Sequence, residues 1–97
     1  MDEQEHRDTI TETTEWFTGA MVDTLLKPEN LQKPHWRTDT DLQLMDKLTD
    51  NVNNFLKESD AQKELKQLIN IANYSMMLAD KIRQDYFDQE KAFELGG

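Results

Sequence analysis

Residues 60–82 read DAQKELKQLINIANYSMMLADKI, a run with neither glycine nor proline. Within it Leu65, Leu68 with Ile69, Ala72, Met76, Ala79 and Ile82 return at steps of three and four. That spacing stacks side chains on one face of an α-helix and suits no face of a strand. It predicts a helix starting at Asp60 and running toward Phe87, with a break expected near Gln84. The preceding Ser59-Asp60-Ala61-Gln62 has the form of a capping box, a side-chain oxygen at the helix entrance and an amide three residues on.

Upstream, Leu44 with Met45, Leu48, Val52 and Phe55 with Leu56 carry the same period, so a second helix is expected to end near Lys57. Its start falls at Thr38 or Asp39, whose side-chain oxygens can accept from first-turn N–H groups, and Asp41 suits the positive helix end. Few residues separate the two helices, so they should be antiparallel neighbours. Further upstream, Ile10, Thr13 with Thr14, Phe17, Ala20 with Met21 and Thr24 with Leu25 outline a first helix from about Asp8 to Leu26, modestly weakened by Gly19. Pro28 should end it. Residues 27–37, with Pro28 and Pro34, read as an irregular connector in which Trp36 packs down as an apolar lid.

No alternating strand pattern, repeat or low-complexity stretch competes with these helices. The fold class is therefore all-α, an antiparallel helical bundle, with residues 1–97 forming one domain. Apolar residues are only 36% of the chain and aromatics 8%. A small domain buries a limited share of its surface, so this lean supply points to completion by self-association, as a dimer or tetramer.

Twenty Asp and Glu against eleven Lys and Arg leave a formal charge of −9, which opposes direct binding to nucleic-acid phosphates or anionic membrane. The acidic start, Met1-Asp2-Glu3-Gln4-Glu5, lacks the cationic and apolar regions of a secretory leader, and no apolar run approaches the ~18 residues that span a bilayer. The cytoplasm is the expected compartment. The absence of cysteine rules out disulfides, thiolate zinc sites and thiol nucleophiles.

The register that should face inward also holds amides. Asn51 and Asn54 lie on the second helix, and Gln67, Asn70 and Asn73 on the third, each group at three-residue steps. Facing each other across the turn, the five could meet in one pocket beside Asp50. A buried amide left unpaired costs roughly 1–3 kcal/mol, so such a cluster must be mutually hydrogen-bonded, hydrated, or used to hold something. Three readings follow: a self-satisfied or solvent-facing network that fixes register, a polar cleft for a ligand, and a subunit-interface network.

The same residues carry a family resemblance. Asp50-Asn51-Val52-Asn53-Asn54, a twelve-residue spacer and Gln67-Leu68-Ile69-Asn70 resemble the E-E-x-x-E and E-x-x-D elements of the MazG-like all-α nucleotide pyrophosphohydrolases. The flanks agree: residues 71–80, IANYSMMLAD, are similar to the D-V-A-N-Y-A-M-M-I-A-D run of the short phage forms, and Lys33-Pro34-His35-Trp36 to their K-x-x-W. The likeness covers about residues 14–82 and implies a phage or mobile-element origin. In that family four carboxylates bind Mg²⁺, which orients a nucleoside triphosphate and activates water for release of pyrophosphate. Here Asn51, Asn54, Gln67 and Asn70 stand at those four positions, and only Asp50 keeps an acid.

Mg²⁺ relies on anionic oxygens, and an amide cannot serve as a general base. The resemblance thus implies a pseudoenzyme, a non-catalytic binding or interaction module that keeps at most nucleotide binding, with no cofactor and with a protein partner as a further ligand class. Two alternatives remain open. One is an active metal-dependent pyrophosphohydrolase with an atypical site built from Asp46, Asp50 and Asp80, which alone would need Mg²⁺. The other is an acidic inhibitor that mimics nucleic acid, recognisable by association that weakens steeply with salt.

Elsewhere the chain offers less. His6 and His35 are isolated from other ligand-type residues, Met45, Met76 and Met77 read as core or interface filler, and the stretch from Asp80 to Glu94 reads as a solvated acidic face. No glycine-rich phosphate loop or nucleophile elbow is present.

Overall fold

The computed structural model describes residues 1–87, and among them every regular element is helical. The chain falls into two compact units, residues 1–33 and the residues from Pro34 onward, divided within the expected connector.

The first unit holds α1 (Glu3–Leu25) and the four-residue α2 (Pro28–Leu31). Helix α1 starts five residues before the expected Asp8, because its start rests on local polar chemistry rather than an apolar stripe. Asp2 caps it by accepting from the Glu5 N–H at 2.7 Å, Glu3 and Glu5 sit in the first turn, and Arg7 pairs with Glu3 one turn back at 2.8 Å. Pro28 does end the regular helix, yet it also opens α2, where a first-turn proline gives up no hydrogen bond. The Asn30 side chain donates to the Thr24 carbonyl at 2.6 Å, adding to the bond that the same carbonyl accepts from the Lys27 N–H at the end of α1.

The second unit begins with a 3₁₀ turn at Trp36–Thr38, followed by α3 (Asp41–Lys57) and α4 (Ala61–Ile82). The expected irregular connector is thus partly ordered. The cap of α3 is Thr40, not Thr38 or Asp39: its hydroxyl accepts from the Gln43 N–H while the Gln43 side chain accepts from the Thr40 N–H, a reciprocal capping box. At α4 the cap is Asp60, which accepts from the Lys63 N–H at 3.0 Å, and the Ser59–Gln62 box expected from sequence does not form. Glu58 takes up the turn instead, accepting from the N–H groups of Ser59 and Asp60. The short turn folds α3 and α4 into an antiparallel hairpin whose helices pack along their length. A π-helical turn at Arg83–Phe87 follows α4, at the place where a break was expected near Gln84. Of the stretch from Asp80 to Glu94 read as a solvated acidic face, residues 88–94 lie outside the described residues.

Leu44 and Met77 are the only apolar residues buried among the described residues, whereas Leu42, Met45, Leu56 and Tyr86 stay largely open to solvent. None of the helices described is long and apolar enough to cross a membrane.

The amide seam and the Asp80 clasp

The amides occupy the hairpin, but they do not converge as one pocket. Asn70 donates to Asn51 at 3.3 Å across the α3–α4 contact, and Asn51 in turn donates to the Lys47 carbonyl at 2.8 Å, one turn back on its own helix. Asn73 is buried and Gln67 half-buried, while Asn54 is exposed and so is Asp50. The reason is the step itself. Three residues advance an α-helix by about 300°, so each step swings the side chain about 60° backward. On α4 Asn70 reaches Asn51, Asn73 is the most buried of the three amides and Gln67 is half-buried. On α3 a single step carries Asn54 into solvent. The expectation of five amides in one pocket is corrected to a seam: a direct Asn51–Asn70 pair flanked by Gln67 and Asn73.

Gln67 keeps one polar atom that matters chemically. Its Oε1 is shielded from solvent and accepts no hydrogen bond. An acceptor held this way calls for a donor, either a water or a ligand N–H or O–H.

A second cluster, not expected from sequence as a unit, lies toward the end of α4. Asp80 is 8% exposed, and its two oxygens accept from the Trp36 indole N–H at 2.9 Å, from Arg37 Nε and Nη2 at 3.0 and 3.2 Å, and from Arg83 Nη2 at 2.9 Å. Asp80 is therefore no part of a solvated face. Because α3 and α4 are antiparallel, the segment that leads into α3 arrives beside the last turns of α4, which brings residues 44 positions apart into contact. Lys81 extends the clasp, donating to the Asp39 carbonyl and lying 4.0 Å from Asp41. Hydrogen bonds from Arg37 and Trp36 hold the Asp80 carboxyl far below the usual aspartate range, against the opposing effect of burial.

Trp36 is thus fastened by its polar edge rather than lying only as an apolar lid. One ring face stacks on His35, with centroids 3.9 Å apart, and His35 Nδ1 accepts from the Arg37 N–H to open the 3₁₀ turn. Trp36, Arg37, Met76, Ala79, Asp80 and Arg83 border an open cleft of about 540 Å³. The only hint of this cluster in sequence is that Trp36 and Asp80 close the two flanking strings of the resemblance. Neither string says that they touch.

Among the described residues no three of His, Cys, Asp and Glu stand together as a possible metal group. In particular Asp46, Asp50 and Asp80 do not form the atypical acidic site, since Asp80 is turned onto arginine and tryptophan donors. The seam residues present are neutral, a donor set poorly suited to Mg²⁺. No family model matches the chain, and neither a curated protein nor a solved structure does.

Proposed function

We propose that this protein is a non-catalytic helical binding module, and that the Asn51–Asn70 seam with Gln67 is where it holds a small polar ligand, with nucleotides as the first class to test. The observation that carries this reading is the buried Gln67 oxygen with no donor, set beside a carboxamide pair at the contact of two helices. Amides both donate and accept, so they can read the edge of a base or the hydroxyls of a sugar without charge. They offer neither an anionic cradle for a divalent cation nor a base to deprotonate water, which is why hydrolysis is not part of the proposal. The likeness to MazG-like sequences supports the choice of ligand class and nothing finer.

Calorimetry on the full chain with a panel of nucleoside and deoxynucleoside triphosphates, with and without Mg²⁺, tests the proposal. Expected is saturable binding to at least one of them without hydrolysis, weakened at least tenfold by Gln67→Leu in a variant that keeps its helicity. Metal-dependent release of pyrophosphate above background would overturn the non-catalytic reading. No binding by any member of the panel would remove the nucleotide.

A further inference from the structure

The open cleft beside the last turns of α4 lies wholly within the second unit, and its lining joins apolar surface to two cations. Met76, Ala79, Asp80 and Arg83 follow one another on α4 at steps of three, one and three, so they share a face of the helix. Trp36 completes the wall from the 3₁₀ turn. Its ring is fixed in place, with the indole N–H donated to Asp80 and one face against His35.

The charge of this cleft opposes that of the chain. In a protein of formal charge −9, the ionised side chains bordering the cleft among the described residues are Arg37, Arg83 and Asp80, two cations and one anion with a local sum of +1. Their exposure is unequal as well. Asp80 is 8% exposed and its oxygens are turned to four donors, whereas Arg37 and Arg83 are 49 and 51% exposed. What the cleft shows to solvent is therefore guanidinium and not carboxylate. Asp80 also orders both arginines in advance, which lowers the entropy cost of placing an anion against them.

Charge selects the kind of anion. A monoanion balances the local +1, whereas a dianion such as a phosphate monoester would leave a negative charge uncompensated next to Asp80. A carboxylate is planar, as a guanidinium is, and the two pair edge to edge. The indole ring of Trp36 and the thioether of Met76 both favour contact with a flat aromatic ring. At about 540 Å³ the cleft has the size of a small-molecule site. We infer that this cleft binds a small aromatic monocarboxylate, with Arg83 taking the carboxylate and Trp36 and Met76 the ring. The inference does not rest on the amide seam, because Gln67 lies about 14 Å of helical rise before Met76 at ~1.5 Å per residue.

Trp16→Phe leaves Trp36 as the one indole of the chain, so its fluorescence reports on the cleft in the full-length protein. Phenylacetate should shift that emission saturably at concentrations up to about 10 mM, the range expected of a ligand with about ten heavy atoms in an open cleft. Phenylacetamide keeps the ring and loses the charge, and acetate keeps the charge and loses the ring. Each should bind about tenfold or more weakly than phenylacetate. Phenyl phosphate, with about two charges at neutral pH, should bind no more tightly than phenylacetate. Arg83→Leu should weaken phenylacetate by about tenfold or more with helicity intact, since Arg37 and Trp36 still fasten Asp80, and Arg83→Lys should restore part of the loss. Gln67→Leu should leave this binding as it is. No saturable response to phenylacetate would overturn the inference, and so would equal binding of phenylacetamide, tighter binding of phenyl phosphate, or an Arg83→Leu variant that binds as well as its parent.

Discussion

At the scale of single residues, Asp80 illustrates how a charge can be buried on an otherwise small hairpin. One carboxylate with four donors around it is stabilised as the anion, so its proton affinity falls on folding. The sign follows from linkage. A group whose folded pKa lies below its unfolded value of ~3.9 contributes stability in full above that value and loses it as pH falls toward the folded pKa. The clasp should therefore hold through mildly acid solution and weaken only in strong acid. Asp80→Asn should lose about 1–3 kcal/mol in urea denaturation at neutral pH, a range set below that of a fully buried pair because Arg37 and Arg83 are about half exposed. The same variant should flatten the acid limb of the stability–pH profile.

The Asn51–Asn70 pair gives a second test at this scale. Changing both to aspartate would place two carboxylates about one hydrogen-bond length apart, which raises the proton affinity of one of them and destabilises the hairpin. Hard divalent cations bind paired carboxylates, so thermal melting of Asn51→Asp/Asn70→Asp should rise with added millimolar Ca²⁺ while the parent chain does not respond. Equal behaviour of the two proteins would show that the seam does not stand where carboxylates could share a cation.

At the scale of elements, the helices depend on their ends as much as on their faces. Thr40→Ala removes the reciprocal capping box and should cost about 1 kcal/mol. Chemical denaturation with Thr40→Ser as control checks this, since serine restores the acceptor. Gly19 lies inside α1, and an added Cβ meets nothing within 4 Å. Gly19→Ala should accordingly add about 0.5–1 kcal/mol of helix stability, seen as a rise in helical ellipticity and melting temperature.

At the scale of the whole molecule, the supply of buried apolar surface is thin, two residues among those described. Folding has to offset a conformational entropy of about 1–2 kcal/mol per residue, so a chain of this kind gains markedly from any burial added by association. Its melting temperature should rise with protein concentration. A melting temperature independent of concentration would mean that the chain reaches its stability alone.

Much of this protein was written into local sequence. The three- and four-residue periods of α3 and α4, the short turn between them and the absence of alternation are enough for an all-α hairpin, because helical hydrogen bonding and amphipathic burial are properties of neighbours in the chain. Helix limits were legible less well. Thr38, Asp39 and Thr40 all have the chemistry of a cap, and which one serves depends on where Gln43 reaches back. The amides were legible as residues facing the partner helix, but not as a pocket, since only the relative rotation of two packed helices decides that Asn51 meets Asn70 and that Asn54 does not. Tertiary structure alone decided the clasp: Trp36 and Asp80 are brought together by the antiparallel return of the chain, and no periodicity within either segment encodes a contact across that distance.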